Sequence, residues 1–399
     1  MKDCSAVAGR PRFDLADIVR EYRAQLESTI RLCTTQTRVL SAIELCRTAA
    51  LGGHIDRCHA CGCTTPAYNS CRNRHCPKCQ ALAAQKWIWS RTARLLPAQH
   101  FHVVMTLPAE LRPLARAFPR KVYDALFAYT HETLSELGST RLNANLGITM
   151  ILHTWTRELK FHPHVHAIVT AGGLSRDGAG WNPSNKKYLF PVDVIGALVR
   201  GKMLEWLRTT RRIGGFDAFD EFLDPQAFER LMSRLASHNW IAYAKKPFRD
   251  SSHVMKYLGR YTHRVAIANG RIVDVTETSV TFRTKSGKLV SVPPVEFLRR
   301  FCLHILPPGF NKIRHYGLYS SAASATTYVH AKRALEPVKA GDVSPLPNAP
   351  PSSAELPWQE YLRSLTGRDV NHCRDCGALI EHLPIARPLC RAPPRPLAS

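Results

Sequence analysis

No stretch of this 399-residue chain approaches the roughly 18 to 20 uninterrupted apolar residues that a membrane span needs. Met1-Lys2-Asp3-Cys4 does not begin a secretory signal, so a soluble cytoplasmic protein with no membrane partner is expected. Acidic residues are also scarce. Lys and Arg outnumber Asp and Glu by 55 to 31, giving a formal charge of +24 and a pI near 9.8. A field of that sign favours polyanions, with nucleic acid the leading candidate over a bland solubility or membrane-surface role. No internal repeat is visible, which leaves a globular chain whose 45% hydrophobic content can bury one large core or two smaller ones.

Between Cys58 and Cys79 large apolar residues are few, and apolar periodicity stops at Gly52-Gly53. Such a segment folds only around something else. Six of the 13 cysteines lie in it, and an odd total clustered this way in an unsecreted chain argues for metal thiolates over disulfides. Cys58-x-x-Cys61 and Cys76-x-x-Cys79 have the spacing of two zinc knuckles, so Cys58, Cys61, Cys76 and Cys79 are the expected zinc ligands. Cys63, Cys71, His54, His59 and His75 leave room for another ligand choice or a second ion. Arg57, Arg72, Arg74 and Lys78 interleave with the ligands and offer a basic surface to phosphates. Cys373-x-x-Cys376, with only Cys390, His372 and His382 near it, is a half-site of unassigned role.

The rest of the chain reads as helix and strand in alternation. A helical lead-in covers about 13 to 50, with Asp14 as its cap. Strands are expected at 101 to 106, 148 to 155 and 164 to 170, the last two as a hairpin, and helices near 119 to 137, 192 to 210 and 225 to 237. A short strand, Ile241-Ala242-Tyr243-Ala244, leads into a helix at about 252 to 263. Ser279 to Val292 reads as a β-hairpin around Lys285-Ser286-Gly287. Residues 337 to 356 and 383 to 399 are rich in Pro and Ala and are expected to be poorly ordered.

In Phe161-His162-Pro163-His164-Val165-His166, period-two alternation puts the three imidazoles on one sheet face. Each brings two polar nitrogens that need partners, which favours metal ligation over packing. His153, in Leu152-His153-Thr154-Trp155, sits on the neighbouring strand if the hairpin forms and is the preferred third ligand; His253 is the other candidate. His162 precedes Pro163 and can instead orient a ligand from behind. Tyr257 and Tyr261, spaced i and i+4, share a helical face with His253. Alone, such a pair is more often core. Lys256 and Arg260 beside it supply the positive charge that a phenol of pKa about 10 needs to attack a phosphate at neutral pH.

Taken in order, the cysteine pairs with Tyr68-Asn69-Ser70-Cys71-Arg72-Asn73-Arg74-His75, then Phe101-His102-Val103-Val104-Met105-Thr106-Leu107-Pro108, the two histidine motifs, Lys256-Tyr257-Leu258-Gly259-Arg260-Tyr261-Thr262-His263-Arg264 and Ile313-Arg314-His315-Tyr316-Gly317 resemble one family. The chain is similar to the two-tyrosine HUH transposases of rolling-circle insertion sequences, the insertion-sequence-ninety-one family, from about residue 13 to about residue 335. The resemblance implies an α+β fold: an HUH endonuclease domain, a ferredoxin-like antiparallel sheet with helices, preceded by a helical segment and a small zinc-binding domain. The corresponding boundaries are 1–50 for the helical lead-in, 51–92 for the zinc-binding domain, 95–318 for the catalytic domain, 319–336 for a helix and 337–399 for a tail with one CxxC pair.

The resemblance also implies the chemistry. Tyr257 and Tyr261 are the nucleophiles, and His164 and His166, with His153 or His253, hold a divalent cation, Mg²⁺ or Mn²⁺, that polarises the scissile phosphate. The substrate is single-stranded DNA at element ends and target, cut through a 5′-phosphotyrosine in a bacterial cytoplasm, at the nucleoid. Lys245, Lys246, Lys256, Arg260 and Arg264 are the candidate phosphate contacts. One departure is His253, where related sequences often carry glutamine. The competing readings are a rolling-circle replication initiator or relaxase, a zinc-dependent DNA-binding protein without catalysis, and a metallohydrolase, for which no carboxylate base is found near the histidines.

Overall fold

The structure, a computed structural model, describes residues 11–92, 94–185, 187–245, 266–321, 325–335, 357–367 and 369–387. Tyr257, Tyr261, His253, Lys246, Lys256, Arg260 and Arg264 lie outside them, and so does the side chain of Lys245. The chain divides into two compact units that interleave in sequence. One takes in residues 1–86, 263–305 and 345–399, the other 87–262 and 306–344, so their boundary falls inside helix Gln80–Thr92.

The first unit begins with helices Leu15–Thr29 and Thr34–Leu45. Asp14 starts the first of these, its carboxylate accepting the Ala16 N–H while Asp17 reaches back to the Asp14 N–H, a capping box that satisfies two otherwise orphaned donors. Leu15, Ile18, Val19, Tyr22 and Leu26 follow at helical spacing and are buried. They pack on helix Pro294–Cys302, which buries Phe297, Leu298 and Phe301. The expected hairpin is present as Val280–Arg283 and Leu289–Val292, turned by Gly287 at φ 89°, and Ile272–Val275 adds a third strand. A second three-stranded sheet runs Ile380–Ile385, Gly53–Cys58, Thr64–Tyr68, all antiparallel. Of the residues expected to be poorly ordered, 337–356 and 388–399 lie outside the described residues, whereas 383–387 are described: residues 369–387 belong to the same unit as the amino-terminal cysteines, and their strand runs from Ile380 opposite Cys58 to Ile385 opposite Gly53. Proline at 384 is tolerated there because the strand is on the sheet edge.

The second unit is built on a six-stranded antiparallel sheet. Its main path is Ile313–Gly317, Ala144–Trp155, Phe161–Ser175, His100–Thr106 and Ala242–Lys245, with Trp181–Pro183 paired to the long central strand. The strand expected at 164 to 170 runs on to Ser175, through Gly172-Gly173. Neighbouring backbone explains both glycines: a Cβ on Gly173 would lie 2.1 Å from the Asn145 carbonyl oxygen, and one on Gly172 would lie 2.4 Å from that of Asn182. On one face Phe101, Val103, Met105, Ile148, Met150, Val165, Ala167 and Val169 are buried. Helix Pro119–Leu142 covers that face, with Val192–Arg212 beside it and Pro225–Ser237 behind. The result is an α+β architecture with one face of the sheet sealed by helices. The histidines stand on the other.

Candidate functional site

Sheet register assembles the histidine group. His153 and His164 are direct partners across the hairpin, and His166 follows two residues along the same face. The ring centroids of His153 and His166 are 4.3 Å apart, those of His164 and His166 4.8 Å. One nitrogen from each of His153, His164 and His166 falls within 4.8 Å of the others, a group able to hold a metal ion.

Hydrogen bonds decide which nitrogens face inward. The His164 Nδ1 lies 2.7 Å from the His162 carbonyl, which can only accept, so Nδ1 carries the proton and Nε2 keeps its lone pair. Burial pushes the same imidazole down to about 4, so it is neutral and able to ligate at physiological pH. His166 points its Nδ1 at the Nε2 of His102, 2.7 Å away on the adjacent strand, with the two rings stacked. His102 is diagonal to His166 in the register, and the sequence reading passed over it although it shares the alternation of Phe101-His102-Val103. His162 is locked the other way. Arg112 donates from Nη2 to the His162 Nδ1 at 2.9 Å, and burial with the Arg112 charge lowers its pKa. His162 therefore sits beside the group and is not one of it.

The same face continues across the sheet. Ile151 and Ile168 form a small apolar patch covered by Trp87, Ile88 and Leu95, and Trp87 stacks on His315. Beyond it a cavity of about 450 Å³ is lined by Arg91, Arg94, Arg120, Arg314 and His315 among others. Arg314 is neutralised by Asp124, and Arg120 donates to the Pro308 carbonyl. Arg91 and Arg94 form no ion pair among the described residues, and their charges, after burial, hold His315 down to about 4. None of these arginines is a phosphate contact expected from the sequence, because Arg91 and Arg94 meet Arg314 only across more than 200 residues of chain.

The cysteines separate into two groups, correcting the expected single set of Cys58, Cys61, Cys76 and Cys79. Cys76 and Cys79 join Cys46 and Cys71; Cys58 and Cys61 join Cys373 and Cys376. The physical reason is reach: the two pairs sit on different loops, and each finds its complement elsewhere. In the first group the Cys46 and Cys79 sulfurs are 3.3 Å apart and those of Cys71 and Cys79 3.6 Å. Four thiolates about 2.3 Å from a tetrahedral ion would be roughly 3.8 Å apart, whereas a disulfide needs about 2.05 Å. The four sulfurs are coupled by hydrogen bonds to one another, which push the Cys79 and Cys46 thiols down and the Cys71 and Cys76 thiols up. Cys63, His54, His59 and His75 belong to neither four-cysteine group. Lys78, read as a phosphate contact, is paired with Asp14 at 2.6 Å.

Comparison with known proteins adds the following. Residues 147–326 match the family described as "Putative transposase", and residues 18–107 match the "Transposase zinc-binding domain". The chain is 40% identical to "Putative transposase y4qJ" of Sinorhizobium fredii over 91% of its own length and 92% of the relative's. It is 28% identical to "Transposase for insertion sequence element IS801" of Pseudomonas savastanoi pv. phaseolicola, over 84% of its length and 81% of the relative's. No solved structure matches significantly. No helix among the described residues is long and apolar enough to cross a membrane.

Proposed function

Because the chain belongs to the transposases of the insertion-sequence-ninety-one family, with their amino-terminal zinc-binding domain, we propose that it cuts and rejoins single-stranded DNA through tyrosine, driving rolling-circle transposition. The observation that carries this reading is the group His153, His164 and His166 on the face of the sheet opposite helix Pro119–Leu142, with two of its rings fixed in orientation by hydrogen bonds. Those three imidazoles fit a divalent cation, and nitrogen donors take Mn²⁺ more readily than Mg²⁺. When bound, the cation polarises the scissile phosphate and stabilises the charge that develops on it.

Tyr257 or Tyr261 attacks the phosphorus through its phenolic oxygen. The O–P bond to tyrosine forms as the bond from phosphorus to the 3′ oxygen breaks, leaving a 5′-phosphotyrosine and a 3′-OH that takes up a proton as the phenol loses one. The second tyrosine repeats the step on the other end or the target, and the free 3′-OH resolves the linkage. Bond energy is conserved in the adduct, so no nucleotide is hydrolysed. Both tyrosines lie in the segment that follows strand Ala242–Lys245, which pairs with the strand carrying His102. That connection supports their delivery to the histidine face. Lys245, Lys246, Lys256, Arg260 and Arg264 remain the proposed phosphate contacts near the tyrosines. Arg91 and Arg94 add positive charge at the cavity beside His315, which suits a nucleic-acid strand passing there. Cys46, Cys71, Cys76 and Cys79 take the zinc of the amino-terminal domain.

The test incubates purified protein with single-stranded DNA carrying element ends and Mn²⁺, then resolves protein-linked strands on denaturing gels. Tyr257→Phe with Tyr261→Phe abolishes the adduct while DNA binding persists; an adduct surviving in the double variant sinks the mechanism.

A further inference from the structure

Two turns separated by more than 300 residues share one geometry. Cys58-His59-Ala60-Cys61-Gly62 and Cys373-Arg374-Asp375-Cys376-Gly377 are both C-x-x-C-G. In the first, the Gly62 N–H donates to the Cys58 carbonyl at 2.9 Å and the Cys58 N–H to the Cys63 carbonyl at 2.9 Å. In the second, the Gly377 N–H donates to the Cys373 carbonyl at 3.0 Å and the Cys373 N–H to the Ala378 carbonyl at 2.7 Å. Gly62 and Gly377 take the left-handed conformation at φ 72° and 74°, which a side chain would strain.

Each knuckle closes one end of a strand in the same sheet. Gly53–Cys58 enters the first, Ile380–Ile385 leaves the second, and the two strands pair so that Cys58 faces Ile380. This register brings the Cys58 sulfur 3.4 Å from that of Cys376, and Cys61 3.7 Å from Cys373. Both separations are close to the roughly 3.8 Å edge of a tetrahedral zinc thiolate and far beyond a disulfide's length.

We propose that Cys58, Cys61, Cys373 and Cys376 form a second, structural zinc site, a ribbon that ties the carboxy-terminal segment to the amino-terminal zinc-binding domain. It takes a tetrahedral thiophilic dication with all four positions filled by protein, leaving none for catalysis. Neither half is a site by itself, which is why Cys373-x-x-Cys376 reads as an orphan in the sequence. The proposal is independent of the tyrosine mechanism and stands or falls without it.

Metal content of the full chain, purified under reducing conditions and measured by mass spectrometry, is expected at two zinc per chain. Cys373→Ser with Cys376→Ser lowers it to one, and Cys76→Ser with Cys79→Ser also lowers it to one. Because such variants can misfold, alkylation of the unmutated chain is followed by peptide mass spectrometry. Cys61 and Cys376 are exposed, so coordination is what shields them. Their labelling is expected to rise at least tenfold when a chelator removes zinc. One zinc per chain in the unmutated protein, or equal labelling of Cys376 with and without chelator, overturns the second site.

Discussion

Strand Phe161–Ser175 buries every other residue from Phe161 to Val165 and nearly all from Val165 onward, whereas Gly53–Cys58 buries only Cys58, and Thr64–Tyr68 and Ile380–Ile385 bury nothing. Both sheets gather side chains able to hold a metal ion, but the first does so on the back of a finished core. Its imidazoles are decorations on a platform held by Phe101, Val103, Met105, Val165 and Val169. In the cysteine sheet the ligands are themselves most of what is buried. The difference teaches that similar sets of candidate ligands can carry opposite dependences: the histidine sheet has a core of its own, whereas the cysteine sheet, with so little else buried, is expected to depend on metal.

The sharpest way to break that contrast is to remove metal. Structural zinc in small domains is linked to about 10–16 kcal/mol of apparent binding free energy at neutral pH, more than a sheet this poor in apolar burial supplies. Chelation under reducing conditions is expected to strip hydrogen-exchange protection from 53–68 and 380–385 almost completely. Protection of Val103, Met105, Val165 and Val169 should change by less than twofold. If the cysteine strands stay protected without metal, the contrast fails.

The contrast also governs what the sequence makes legible. Strands at 101 to 106, 148 to 155 and 164 to 170 announce themselves because alternation is written within each, and His153 opposite His164 follows from folding one hairpin. Cys46 at the end of its helix and Cys373-x-x-Cys376 near the far end of the chain carry no such local signature. Spacing reports which cysteines share a knuckle, but not which knuckles share an ion. That takes strand pairing across 300 residues, as with Cys58 opposite Ile380. His102 is not legible for a related reason: its partner lies 64 positions away on another strand, and nothing in Phe101-His102-Val103 distinguishes an imidazole that orients a ligand from one that packs. The arginines around His315 converge only when the edge strand Ile313–Gly317 docks on Ala144–Trp155.

A smaller effect probes whether the histidine platform acts through orientation. An ion held at Nε2 would leave the His166 proton on Nδ1, where it would be donated to the His102 Nε2 2.7 Å away. His102→Ala removes that acceptor without touching the ion. Partners of this kind are worth about 10- to 100-fold in metal affinity, so the Mn²⁺ concentration for half-maximal adduct formation should rise by that factor. Saturating Mn²⁺ should then restore most of the rate. A loss that Mn²⁺ does not rescue would assign His102 to packing instead.

The smallest expected effect concerns protons. His100 is fully buried and shares a 2.7 Å hydrogen bond with the Tyr319 hydroxyl, and burial pushes its imidazole down to about 4. An unfolded histidine titrates near 6.5. Between pH 6.5 and 4 the unfolded chain therefore binds more protons than the folded one, so falling pH favours unfolding. The stabilising contribution is fully present above about 6.5 and is lost as pH falls through that window towards 4. His315, held down to about 4 by burial and by Arg91 and Arg94, titrates in the same sense. Urea unfolding of the metal-stripped chain, followed through the histidine sheet, should thus show a midpoint that falls from pH 6.5 to 4. His100→Gln, which keeps a partner for Tyr319 and removes the titration, should make that fall shallower by up to one proton's worth of slope. An unchanged slope would mean that the acid sensitivity of this sheet lies elsewhere, and that its platform is less dry than its burial indicates.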